Sequence, residues 1–304
     1  PVRAVVSAMA KRTLKRAVFY PLQAAAIRLG LALFGTLSLD RASALGGWLG
    51  RVIGPRLAIS RVAERNLARA FPEKGEAEIA AIVRAMWDNL GRVAAEYAHL
   101  DEIDVYADDG RVEVIGAENV DRLRDDGTGG IFFQAHLGNW EIVTLAAKQR
   151  GVPITYIYRA ANNPFVEPIL RRLRAPVGGT HHPKGAKGAK ALIAALRRGE
   201  HLGLIVDQKL NDGIAVPFFG RQAMTAPAPA QLALKFKCPM VPTRVERLEG
   251  ARFRLTIHPP MELPETGDRQ ADVAAIMTRV NALFEEWIRA RPEQWLWLHR
   301  RWPE

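Results

Sequence analysis

Near residue 112 the pattern of the chain changes: short apolar runs of strand length begin to alternate with stretches of helical period. Strands are expected at Val112–Ile115, Ile131–Gln134, Ile154–Tyr158, Leu202–Val206, Met240–Val245 and Phe253–Ile257, where β-branched and aromatic residues concentrate. Helices are expected near 139–149, 164–174, 186–198, 227–237 and 271–290. A chain that alternates in this way has few solutions. The expected fold is α/β, a mixed central sheet flanked by helices, with functional groups collected at strand ends. At 304 residues it is long for one domain, and apolar content of 48% is ample for a core. Three parts are expected: an N-terminal basic and apolar membrane anchor over 1–40, a helical region over 41–110, and the α/β part over 111–304.

Within the alternating part, IFFQAHLGNWEIVTLAA (131–147) has the character of a reactive centre. Ile131, Phe132 and Phe133 suit a buried strand, and Asn139 before Trp140-Glu141-Ile142-Val143 suits a helix N-cap. On one continuous helix, residues five apart point about 140° away from each other. With His136 in the turn and Glu141 in the first helical turn, the chain folds the two back together. A carboxylate then orients one imidazole nitrogen while the other takes a proton from an attacking hydroxyl. The free N–H groups of the same helix start face a developing oxyanion. No Ser or Cys adjoins His136, which argues against a covalent acyl-enzyme hydrolase. The plainer alternative is a Glu serving the helix dipole and a His satisfied at a strand end.

Asp207 and Gln208 end a later apolar strand. Asp207 is a second carboxylate available to His136, and the sequence leaves open whether it, Glu141 or both orient the ring. Pro217-Phe218-Phe219-Gly220 reads as a rigid apolar turn, lining either an acyl channel or the core.

Charge narrows the partners. The formal net charge of +11 calls for an anionic one: phospholipid, nucleic acid or an acidic protein. Residues 159–198 hold nine Lys or Arg against one acid, Glu167, and include Arg171, Arg172, Arg174, Lys184, Lys187 and Lys190. The anionic ligand is expected here. PKGAKGAK (183–190) reads as a mobile basic loop whose spacing fits no nucleotide-binding loop. No nucleic-acid motif accompanies the charge, so no nucleic-acid partner is expected. Cys238 is the single cysteine, which excludes an intrachain disulfide and leaves a Cys-based zinc site unsupported.

Residues 1–39 carry six basic residues, Arg3, Lys11, Arg12, Lys15, Arg16 and Arg28, and no acid, around the apolar run Ala17–Leu39. The run is about long enough to span a bilayer, but Pro21 and Arg28 interrupt it. An uncleaved anchor is expected, either a poor transmembrane helix or one lying in the interface, with its basic end cytoplasmic. Farther on, Ile79, Ile82, Met86, Leu90, Val93 and Tyr97 recur at intervals of three or four and predict an amphipathic helix. Arg56, Arg61, Arg65 and Arg69 form a basic run, and Asp101, Glu102, Asp104, Asp108 and Asp109 mark a solvated connection. Trp295, Trp297 and Trp302 among Arg300 and Arg301 read either as an interfacial edge or as packing under the sheet.

His136 and Glu141 match the H-x4-D/E signature of glycerolipid-type acyltransferases, and AHLGNWE resembles the late acyltransferases of lipid A biosynthesis, the lauroyl/myristoyl group. NLARAFPE (66–73), YRAANNP (158–164), VDQKLNDGIAVPFFGRQAMTAPAPAQLA (206–233) and EQWLWLHRRW (293–302) extend the resemblance in the same order over most of the chain. Ala160-Ala161 departs from the bulkier residues expected after Arg159 and bears on substrate rather than chemistry. The resemblance implies an acyltransferase at the cytoplasmic face of the inner membrane. Acyl carrier protein is the implied donor, and the acceptor is an anionic lipid, a hydroxyl of a lipid A precursor. Relatives that acylate glycerophosphate lipids or other glycolipids leave those acceptors as the alternative. It implies His136 and Glu141 as catalytic residues, and Asn139, Arg159, Asp207 and Gln208 as substrate-binding. No metal or other cofactor is implied.

Overall fold

The computed structural model describes residues 15–108 and 110–302. Arg3, Lys11, Arg12 and Asp109, named above, lie outside them. The helical region opens with α1 (Tyr20–Gly35), α2 (Leu39–Ile53), α3 (Ser60–Ala70) and α4 (Glu76–Glu96). Helices α2 and α4 cross where glycines face each other. A Cβ on Gly46 would stand 2.4 Å from the Gly91 carbonyl oxygen, and one on Gly50 would stand 2.0 Å from that of Trp87. Only bare backbone permits this approach.

The alternating part follows as β1 (Val112–Ile115), α5 (Ala117–Asp125), β2 (Ile131–Gln134), α6 (Glu141–Gln149), β3 (Ile154–Tyr158), α7 (Glu167–Arg174), β4 (Thr180–Pro183), α8 (Ala186–Arg197) and β5 (His201–Ile205). A hairpin of β6 (Ile214–Phe218) and β7 (Arg221–Thr225) precedes α9 (Ala228–Phe236), β8 (Met240–Arg247), β9 (Phe253–Ile257) and α10 (Arg269–Ala290). The main sheet has seven strands in the order β1-β9-β8-β2-β5-β3-β4. Strands β8, β2, β5, β3 and β4 run parallel, and β9 with β1 runs against them. The expected mixed sheet with helices on its faces is found.

Three strands escape the sequence pattern. β4 is polar and exposed on both faces because it closes an edge. β6 and β7 form a separate hairpin whose two-residue turn, Phe219-Gly220, takes φ of 51° and 66°, as a type I′ hairpin requires. The stretch PKGAKGAK is no loop: β4 ends at Pro183 and α8 starts at Ala186. A Cβ on Gly188 would come within 2.5 Å of the Pro183 carbonyl oxygen, so the helix packs directly on the strand it follows.

Both faces of the sheet are covered. In β2, Ile131 and Phe133 enter one core with α10, while Phe132 enters the other with α5 and α6, which is why this strand reads as a continuous apolar run. Phe218, Phe219, Trp295, Trp297 and Trp302 all lie in the first core, at 6% exposure or less. Of the two readings open for these tryptophans and for the phenylalanine turn, packing in the core is the one found: their rings pack on one another at centroid distances of 4.5–6.3 Å.

The buried face of α4 carries polar residues among its apolar ones: Val83, Met86, Asn89, Val93 and Glu96. Glu96, wholly buried, accepts two bonds from Arg247 at the end of β8, at 2.5 and 2.9 Å. Ser43 and Asn139 donate to the same carboxylate at 2.7 and 2.9 Å, and the Arg247 Nε donates to Asn89 at 2.8 Å. Gln294 bonds both backbone groups of Arg247 at 2.8 Å. One ion pair thus joins α2, α4, β8, the turn after β2 and the C-terminal segment. Glu96→Ala is expected to lower stability by about 3–5 kcal/mol, because it leaves a guanidinium buried without its partner. Urea unfolding checks this, and Glu96→Leu combined with Arg247→Met is expected to recover most of the loss.

Candidate active site

The apolar residues of β2 and β5 set the site through register. Ile131 pairs with Leu202 and Gln134 with Ile205, and the same offset of 71 residues brings His136 opposite Asp207 just beyond the strand ends. The His136 Nδ1–H donates to Asp207 Oδ1 at 2.8 Å, and the His136 backbone N–H donates to Oδ2 at 2.9 Å. Trp295 Nε1–H donates to the same Oδ2 at 2.7 Å. Asp207 is wholly buried, which by itself pushes its carboxyl up. The charge and hydrogen bonds of His136 outweigh this and hold it well below the usual range. The ring of His136 keeps 18% of its surface exposed and meets the edge of Trp140 at 5.1 Å. A partly open imidazole on a fixed carboxylate is suited to moving protons at Nε2.

The turn itself is braced. Gly138 has φ of 55°, and a Cβ there would stand 2.9 Å from the Val245 carbonyl oxygen. Leu137 forms a bridge with Trp295, while Leu296 N–H donates to the His136 carbonyl and Gly138 N–H to that of Gln294, both at 3.2 Å. The C-terminal segment therefore acts as a short strand along the His136 turn.

Glu141 stands elsewhere. It is the first residue of α6, 5% exposed, and accepts from the Tyr97 hydroxyl and from Arg174 Nε, the latter at 3.3 Å. Of the two carboxylates left open as partners of His136, Asp207 is the one bonded to a ring nitrogen. The reason is strand order, since β5 inserts between β2 and β3 and delivers its carboxylate first. Burial and the neighbouring Glu141 push the Tyr97 hydroxyl up, so it remains a proton donor. Burial opposes the charge of Arg174, but Tyr97 and Glu141 more than offset it and hold the guanidinium protonated.

Asn139 is 1% exposed, with its amide donated to Glu96 and its side-chain oxygen accepting from Glu141 N–H at 3.2 Å. Asn139 is thereby held inside the fold. Its capping oxygen is used as expected, although Trp140 is the residue that flanks the helix. Arg159, directly after β3, and Gln208, three residues past the end of β5, are exposed. The ends of β2, β5, β3 and β4 lie side by side, so His136, Asp207, Gln208, Arg159 and Lys184 occupy one edge of the sheet.

A cavity of about 290 Å³ opens among Tyr158, Glu167, Arg171, Arg174, Gly179 and His181. Burial and the charge of Arg174 hold His181 below the usual histidine range. Arg174 links this cavity to Glu141, within the basic stretch singled out from sequence. Tyr97, Trp295, Glu96 and Arg247 were not expected near the site. The one sequence signal for Glu96 is a charged residue on the apolar stripe of a helix; nothing local marks Arg247. Among the described residues no group of His, Cys, Asp and Glu is arranged to hold a metal.

The family described as bacterial lipid A biosynthesis acyltransferase matches residues 11–304. The chain is 25% identical over 266 residues to a lipid A biosynthesis acyltransferase of Haemophilus influenzae, covering 84% of this chain and 79% of that protein. It is 29% identical over 256 residues to a lipid A biosynthesis myristoyltransferase of Escherichia coli, covering 82% and 77%. A lipid A biosynthesis lauroyltransferase of the same organism is 28% identical over 256 residues, covering 80% and 78%.

Asp207 makes stability depend on acidity in a definite direction. Because its folded pKa is lowered from the ordinary 3.8, its contribution is complete above that value and is lost as pH falls through the folded one. Asp207→Asn is expected to cost about 1–3 kcal/mol near neutrality and to flatten the acid limb of the stability profile. Urea midpoints measured from about pH 7 down to about pH 2 test both.

Proposed function

Since the chain belongs to the bacterial lipid A biosynthesis acyltransferase family, we propose that it moves a fatty acyl chain from acyl carrier protein to a hydroxyl of a lipid A precursor. The product is an acyloxyacyl ester, and the reaction takes place at the cytoplasmic face of the inner membrane. What supports this reading most is the His136–Asp207 pair at 2.8 Å on the C-terminal edge of a parallel sheet, in a chain of an acyltransferase family.

In this mechanism Nε2 of His136 takes the proton of the acceptor hydroxyl as its oxygen attacks the thioester carbonyl. Asp207 fixes the tautomer and stabilises the imidazolium. When the tetrahedral intermediate collapses, the carbon–sulfur bond breaks and His136 returns the proton to the departing thiol. No protein nucleophile and no cofactor enters. Glu141 acts one step away by holding Arg174 at the cavity, where Arg174 and Arg171 meet anionic groups of the lipid. Arg159 and Gln208 extend the binding surface along the sheet edge. A general base does not by itself distinguish water from an alcohol, so placement of the acceptor must suppress hydrolysis of the thioester.

The test is acyl transfer by detergent-solubilised enzyme with acyl carrier protein donors of several chain lengths and a tetra-acylated, phosphorylated lipid A precursor. His136→Ala is expected to lower turnover by at least roughly 100-fold. Glu141→Gln is expected to raise the acceptor KM more than it lowers kcat. Transfer that survives in His136→Ala overturns the mechanism. Transfer to a lysophospholipid but not to the lipid A precursor would keep the chemistry and replace the acceptor.

A further inference from the structure

Helix α1 belongs to the one segment, Ala17–Gly35, long and apolar enough among the described residues to cross a membrane; most of it is exposed, and one stripe rests on the rest of the protein. Ala24, 2% exposed, forms a small core with Val166 and Ile169, joined by Ile27 and Leu31 from α1 and by Leu170 and Leu173 from α7. Polar bonds hold both ends. The Asn163 amide donates to the Tyr20 carbonyl and to Gln23 Oε1, each at 2.9 Å, and His99 Nε2–H donates to the Phe34 carbonyl at 3.0 Å.

The opposite face is bare and apolar: Phe19, Leu22, Leu29 and Leu33 are 59–64% exposed. At 100° per residue the leucines of this stripe lie roughly 180° from Ala24, Ile27 and Leu31, and Arg28 lies roughly 120° from the leucines, on the flank. A second apolar group, Leu45, Trp48 and Ile53 on α2 with Leu57 and Ile59 just beyond, is 40–51% exposed, on a helix that begins after a link of only three residues. Arg51, Arg56 and Arg61 punctuate it. Apolar residues with a tryptophan and flanking arginines match the surface of an anionic bilayer, with hydrocarbon beneath a negative headgroup layer.

We infer that α1 lies in the plane of one leaflet, its Leu22–Leu29–Leu33 stripe in lipid and its Ala24–Leu31 stripe on α7, and does not cross the bilayer. Spanning would require α1 to leave α7, exposing Ala24, Ile27 and Leu31 while carrying Arg28 into hydrocarbon, which is costly. The in-plane placement keeps Arg28 at headgroup level and both ends of the helix on the side of the catalytic part. It also sets the substrate cavity at the lipid surface, because α7 supplies both Ile169 and Leu173 to α1 and Arg171 and Arg174 to the cavity. This inference deepens the proposed function and rests on its membrane-bound substrate.

The experiment places a nitroxide on Leu22→Cys, Leu29→Cys or Leu33→Cys in the full chain, bound to vesicles of phosphatidylethanolamine and phosphatidylglycerol. Collisional relaxation by oxygen and by a water-soluble nickel complex reads the depth of each label. Cys238 is 5% exposed and burial pushes its thiol up to about 11, so brief labelling at neutral pH modifies the introduced cysteines. The expected result is a common depth of about 5–10 Å for all three labels. Depths that diverge by roughly 16 Å between positions 22 and 33, as a helix along the membrane normal demands, overturn the inference. So does full exposure of all three to the nickel complex. Acyl transfer in detergent, assayed on the same labelled proteins, separates the two readings: retained transfer with divergent or aqueous labels sinks the in-plane helix alone. Lost wild-type transfer with a common depth sinks the assigned reaction alone.

Discussion

A guanidinium and a carboxylate removed from water must find each other, and in this protein the pair Arg247–Glu96 does so where five parts of the chain meet. The α4 helix, the end of β8, α2, the turn after β2 and the C-terminal segment each contribute a partner or a backbone group to it. Such a pair adds little net stability over well-packed apolar residues, but it tolerates no half-measures, because a lone buried charge is far worse than either alternative. Its consequence is positional. The helical layer and the sheet are locked in one relative placement, and Asn139, bonded to Glu96, carries that placement into the turn that holds His136.

The second constraint is the buried carboxylate of Asp207. Its two oxygens receive three donors, two from His136 and one from Trp295. These bonds satisfy the charge and also orient the imidazole, so the same contacts that stabilise the fold prepare the ring for proton transfer. The tryptophan that completes the set comes from the end of the chain, which runs along the His136 turn as a short strand. The shape of the site thus depends on contacts between residues far apart in sequence, with no single loop responsible for it.

Helix α7 connects the site to its surroundings. One side of it meets α1, and the other lines the cavity where Arg174 reaches back to Glu141. On the inferred placement of α1 along the lipid surface, a lipid acceptor would enter from the phase in which it is dissolved and present its anionic groups to the arginines of this cavity. Under the proposed function, the acyl donor would come from water on an acidic protein and meet a chain whose net charge is +11.

The sequence by itself determined the α/β class, five of the six strands predicted in the main sheet to within one residue at either end, and the sixth at its start, because period and strand length are local properties. It also singled out His136, Asp207 and the basic stretch containing Arg174, since strand ends and charge runs are visible in one dimension. It did not disclose β4, whose polar pattern reflects an edge position, or the burial of Trp295 and Trp297, whose rings suit a membrane interface equally well. Above all, it did not decide which carboxylate serves His136. Proximity in the chain favours Glu141, five residues on, but the order β2-β5-β3 sets Asp207 against the imidazole and leaves Glu141 to Tyr97 and Arg174. Strand order is a property of the whole sheet, settled by which faces bury together, and only the tertiary structure records it.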